Sequence, residues 1–139
     1  MERGLRGKLP RRVAASGRIV VPACCAAVLA LAQTVNAYAA SRTVNFNFEH
    51  LWQTPEFKTG GDTISFRVAK CNRPNKDMTV VLWNTDGWNQ ELDRAVIKCR
   101  PNASAKLGAG TKPGHFMFEL GKLDDGKAFK GTATYSYRG

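Results

Sequence analysis

The sequence contains no apolar run long enough to cross a membrane as a helix. Its longest, residues 19–32 (IVVPACCAAVLALA), has 14 residues, against the roughly 20 that a spanning helix requires. A permanent helical anchor is therefore not expected. Histidine is scarce as well: only His50 and His115 occur, so little general-base chemistry is available near neutral pH. There is no G-x-S-x-G, no P-loop and no C-x-x-C. These absences argue against a nucleophile elbow, a phosphate-cradling loop and a zinc or thioredoxin-like cysteine pair. Acids are outnumbered by bases, 11 to 21.

Much of that imbalance lies at the beginning of the chain. Residues 1–18 carry Arg3, Arg6, Lys8, Arg11, Arg12 and Arg18 against Glu2. The uncharged stretch 19–32 follows, and then the small-residue pair Ala37 and Ala39 in an A-x-A arrangement. A basic stretch, a short apolar stretch and a small-residue cleavage site define a secretory signal peptide. The sequence thus predicts a leader over 1–39, cut after Ala39, and a single secreted domain over 40–139. Arg11-Arg12 as a twin-arginine signal and Cys24 as a lipid-attachment site are weaker readings of the same segment. Residues 40–139 keep a net charge of +5, half of the whole chain's +10. That excess favours solubility and loose attraction to polyanions, and it is too dilute to mark a nucleic-acid binder.

Removal of the leader takes Cys24 and Cys25 with it, leaving Cys71 and Cys99. Two cysteines in an exported chain predict one disulfide. Closing a loop of that length would stabilise the fold by about 3.5 kcal/mol on the chain-entropy model.

Residues 40–139 alternate apolar and polar side chains in repeated short segments. Val44, Phe46 and Phe48 form one such set, and Ile64, Phe66 and Val68 another. Ala95, Ile97 and Cys99 make a third, and Phe116, Phe118 and Leu120 a fourth. The last runs from Phe129 through Ala133 to Tyr137. Period two means strands with one core face and one wet face. Residues 78–83 (MTVVLW) are apolar on both parities, as in a strand covered on both sides. Turn chemistry separates the segments at Gly60-Gly61-Asp62, Asn72–Asn75, Asp86-Gly87 and Asp124–Gly126. No segment sustains a helical period. The predicted fold is a small antiparallel β-sandwich, immunoglobulin-like or jelly-roll-like, of about six to seven strands with one disulfide, and a small barrel is the alternative. Cys71 has the outward parity of its strand, so a bridge to Cys99 requires a bulge or a place at the rim. Residues 100–114 (RPNASAKLGAGTKPG) show no period and read as a basic loop.

Candidate functional residues concentrate in residues 82–90, LWNTDGWNQ. Trp83 and Trp88 flank a turn, and Asn84, Asp86 and Asn89 place amides and a carboxylate beside them. A flat apolar ring edged by hydrogen-bonding groups suits the alternating faces of a sugar. Lys106 and Lys112 would add positive charge. The expected ligand-binding set is therefore Trp83, Asn84, Asp86, Trp88, Asn89, Lys106 and Lys112. The expected function is a secreted, non-enzymatic module that binds carbohydrate or an anionic cell-envelope polymer. No catalytic residue, metal or cofactor is expected. The alternative is a module that binds an extracellular protein, as an inhibitor or toxin-like effector would, through loop 100–114. A small hydrolase built on a pair of acids or a histidine is a third possibility, and nucleic acid is disfavoured as a partner.

Overall fold

The computed structural model describes residues 39–139. The expected leader, with Arg11-Arg12, Cys24 and the start of the A-x-A site, lies outside the described residues. Ala39 itself opens the first strand.

Nine strands form among the described residues: β1 (Ala39–Phe48), β2 (Leu51–Gln53), β3 (Phe57–Thr59), β4 (Thr63–Cys71), β5 (Asp77–Asn84), β6 (Gln90–Lys98), β7 (Ser104–Gly108), β8 (Gly114–Gly121) and β9 (Phe129–Arg138). They build two antiparallel sheets. One has the order β1-β9-β4-β7. The other runs β2-β8-β5-β6, with β3 pairing β8 beyond β2. The expected antiparallel sandwich with one disulfide is the fold observed.

The alternating segments supply the core as their periods predict. Phe46, Phe66, Val68, Ala133 and Tyr135 point inward from the first sheet, and Met78, Val80, Leu82, Phe116 and Phe118 from the second. Aromatic rings dominate the contact between the layers. The Phe57 ring lies 4.8 Å from that of Tyr135 and 4.7 Å from that of Tyr137, centroid to centroid. Such pairs add to what area burial alone contributes.

Three strands escaped the sequence reading. β2 and β3 have three residues each, too few to show a period. They are two pieces of one edge strand, interrupted at Thr54-Pro55. Pro55 cannot donate to a ladder, and such residues belong at edges. Thr54 fills the gap: its N–H donates to Phe118 O at 2.8 Å, and its hydroxyl accepts from Phe118 N–H at 2.9 Å. The third, β7, corrects the expectation for residues 100–114. Ser104–Gly108 pairs with Thr63–Arg67 of β4, so the expected loop contains an edge strand. Leu107 is its one large core side chain, which is why no alternation was visible. Its place comes from pairing with β4 rather than from its own pattern.

The Cys71–Cys99 disulfide joins the end of β4 in one sheet to the residue after β6 in the other, with Cα atoms 5.5 Å apart. Of the two outcomes that parity allowed, a bulge is present: the register with β9 shifts between Val68 and Lys70. The extra residue turns Lys70 outward and Cys71 inward. The same crossing needs Gly131, where a Cβ would stand 2.0 Å from Lys70 O and 2.6 Å from Phe46 Cζ.

Candidate functional site

The hairpin joining β5 to β6 carries five of the predicted site residues, Trp83, Asn84, Asp86, Trp88 and Asn89. Trp83 is the last outward-facing residue of β5. Its register neighbours are Met117 on β8 and Glu91 on β6. It is half-buried against that outer surface, and its indole N–H is sealed from solvent without a hydrogen-bond partner. Trp83 thus packs on the outside of its sheet and offers little free ring face. Trp88 is the opposite case: it is 94% exposed at the tip.

Local hydrogen bonds hold the tip. Asn84 Oδ1 accepts the Asp86 N–H at 2.8 Å, which closes an Asx turn. The Asp86 carboxylate reaches across to β8 and accepts the His115 backbone N–H at 2.9 Å and His115 Nδ1 at 2.7 Å. An ionised carboxylate only accepts, so the proton sits on Nδ1 and Nε2 faces away from this bond. These bonds from the His115 side chain and backbone hold the Asp86 carboxyl below its ordinary value of 3.8. Gly114 makes the approach possible, because a Cβ there would lie 2.6 Å from Asp86 Oδ2. On the other flank, Thr85 Oγ1 donates to Glu56 Oε1 at 2.6 Å, and the Thr85 N–H donates to His115 O at 2.9 Å. The exposed Trp88 therefore projects from a hairpin clamped on two sides.

The outer surface beside Trp83 is also ordered. Arg94 holds Glu91 in a bidentate pair, at 2.8 and 2.7 Å, and this guanidinium keeps the Glu91 carboxyl below its ordinary value. Gln53 Nε2 donates to Glu119 Oε2 at 2.9 Å. Farther along the same face, Leu51, Gly121, Thr79 and Val96 share one cross-strand row. Leu51 and Val96 leave it 53% and 63% exposed.

The two lysines of the predicted set part company. Lys112 lies in the turn two residues before Gly114, at the hairpin's end of the sandwich. Lys106 lies on β7 opposite Ser65, on the outward face of the other sheet, and it is not brought to Trp88. In the hairpin, Asn84 spends its side-chain oxygen on the turn, and Asp86 spends its carboxylate on His115. Asn89 stays exposed.

Sequence reasoning missed His115 as the partner of Asp86. The pairing joins residues 29 apart, and only the β5–β8 register reveals it. An Asp–His pair of this kind can orient a general base. Among the described residues, no hydroxyl or thiol is hydrogen-bonded to the ring's other nitrogen, and no three His, Cys, Asp or Glu side chains gather as metal ligands.

No protein-family model matches the chain, and no curated protein matches it. Among solved structures it is similar to the Yersinia pseudotuberculosis-derived mitogen, with 12% identity, covering 73% of this chain and 87% of that one, at a TM-score of 0.45. That likeness is too slight to carry fold or function across.

Proposed function

We propose that this chain is an exported, non-enzymatic binding module that recognises carbohydrate, presented by a cell-envelope polymer, through the Trp88 hairpin. The observation that carries this reading is Trp88 itself, 94% exposed on a clamped turn. Leaving a large apolar ring in water costs free energy that a ligand recovers by covering it, and a fixed hairpin loses little entropy on binding. Asn89 and the unengaged amide of Asn84 supply donors beside the ring. His115 acts as a structural clamp through Asp86 rather than as a catalyst, since no nucleophile stands against it among the described residues.

A second reading has support from the apolar row of Leu51 and Val96, which would suit an extracellular protein. Residues 100–114, the expected protein contact, would then present the edge strand β7 (Ser104–Gly108) and its flanking turns.

Tryptophan fluorescence under titration with envelope polysaccharide fragments tests the proposal. Trp88 is expected to dominate the signal change, because Trp52 and Trp83 are half-buried. Trp88→Ala is expected to weaken binding by about tenfold or more, in line with loss of an aromatic anchor. Unchanged affinity in Trp88→Ala would sink the hairpin as the site. A spectrum that no glycan alters would turn the search to protein partners.

A further inference from the structure

The outward face of the β1-β9-β4-β7 sheet has a chemistry unlike the rest of the surface. Its cross-strand rows are registered. Ser41, Ser136, Ser65 and Lys106 form one. Thr43, Thr134, Arg67 and Ser104 form the next, and Asn45, Thr132 and Lys70 the third. Hydroxyls tie neighbours together: Thr43 Oγ1 lies 3.1 Å from Thr134 Oγ1, and Thr132 Oγ1 donates to Asn45 Oδ1 at 2.9 Å. No outward-facing position of these four strands is an acid or an aromatic.

Four of the five cations on this face form a diagonal stripe; the fifth, Arg138 at the end of β9, lies off it and is 3.9 Å from Asp62. Lys106 stands in the first row, Arg67 in the second, Lys70 in the third, and Lys130 opposite Asn47 in the fourth. At ordinary strand spacing and rise, this stripe is roughly 20 Å long. Among the described residues, none of the four is in an ion pair, whereas Arg94 and Lys98 on the opposite sheet are both paired, with Glu91 and Asp77. Asn102 Oδ1 accepts from the Arg67 guanidinium and orients it. An open groove of about 710 Å³ runs here, with Arg67, Lys106, Ser104 and Thr134 in its walls.

We infer that this face binds a linear sulfated polysaccharide. Four unpaired cations in a line match a polymer with regularly spaced anions. A tetrahedral sulfate ester presents several acceptor oxygens to a guanidinium fork and to the hydroxyls flanking it. The rows of Ser, Thr and Asn can bond sugar hydroxyls, which a bare polyanion would leave unused. A single-stranded nucleic acid would want rings to stack on, and this face has none. The inference rests on the reading of the chain as an exported binding module, but not on Trp88, which projects from the other sheet.

The test uses the full chain and heparin, with inorganic polyphosphate and single-stranded DNA as comparison polyanions. One variant replaces the stripe (Lys106→Ala, Arg67→Ala, Lys70→Ala, Lys130→Ala). A matched variant removes the same charge elsewhere (Lys58→Ala, Lys76→Ala, Lys98→Ala, Lys127→Ala). Any contribution of the basic leader is common to all forms, and thermal melting confirms that each is folded. Heparin affinity at physiological salt is expected to fall about tenfold or more in the stripe variant, and to stay within about threefold in the matched variant and in Trp88→Ala. Thr134→Val with Ser65→Ala is expected to weaken heparin binding and leave polyphosphate binding unchanged. Equal losses in the stripe and matched variants would overturn the surface. DNA or polyphosphate binding as tight as heparin, and lost with the same stripe, would overturn the glycan. Loss of heparin binding in Trp88→Ala alone would assign the polymer to the hairpin instead.

Discussion

Gly131 shows how much one residue carries in this fold. It lies where the β4 bulge, the Phe46 ring and β9 cross, and a methyl group there has no room. Relief would require moving the Lys70 carbonyl, and with it the bulge that turns Cys71 inward. Gly131→Ala is expected to destabilise the fold by about 3 kcal/mol or more, as overpacking against backbone does. In a domain of this size that lowers the Tm by about 15 °C. Thermal unfolding of the variant checks this, and a Tm within a few degrees of wild type would contradict the close approach. The parity of Cys71 left a bulge or a rim position open at this point, and the register with β9 shows the bulge. The need for glycine opposite it was not legible in the sequence, because it depends on which strand lies alongside.

At the scale of elements, long alternating segments were readable and short edge pieces were not. β1, β4, β8 and β9 each run eight residues or more, enough for period two to stand out. β2, β3 and β7 take their positions from a neighbour's free edge, so their own residues carry little pattern. The β5–β6 hairpin is intermediate. Its turn was visible in Asn84–Gly87, but the clamp from Asp86 to His115 needed the β5–β8 register. That clamp makes the hairpin sensitive to acid. Asp86 has its carboxyl held down in the folded state by His115. The native state therefore binds this proton less readily than the unfolded chain. The stabilisation is complete above the unfolded value and is lost as pH falls through the lower folded one. Asp86→Asn is expected to melt below wild type near neutral pH, with the gap closing once the pH falls below the ordinary carboxyl value and through the lower folded one. A gap of constant size across that range, followed by thermal melts in a pH series, would count against the carboxylate as the clamp.

Across the whole molecule, the sandwich separates two surfaces of different chemistry. One outer face and its hairpin carry Trp83, Trp88, Leu51 and Val96. The other carries hydroxyls and an unpaired cationic stripe. The predicted set placed Lys106 with the tryptophans, because residues 100–114 read as a basic loop, with no strand to fix Lys106 to one sheet. Assigning β7 to the β4 edge separates them. The disulfide holds the two layers together at the end opposite the hairpin, so the tip can meet a polymer without disturbing the staple.

The most direct measurement is retention of the protein on insoluble cell-wall polysaccharide at low and high salt, with wild type and Trp88→Ala side by side. Wild type is expected to be retained at both salts, because aromatic contact is little screened. Trp88→Ala is expected to be released at high salt, where the charges on the opposite face no longer hold it. Equal retention of the two proteins at high salt, or release of both, would contradict recognition through the Trp88 hairpin.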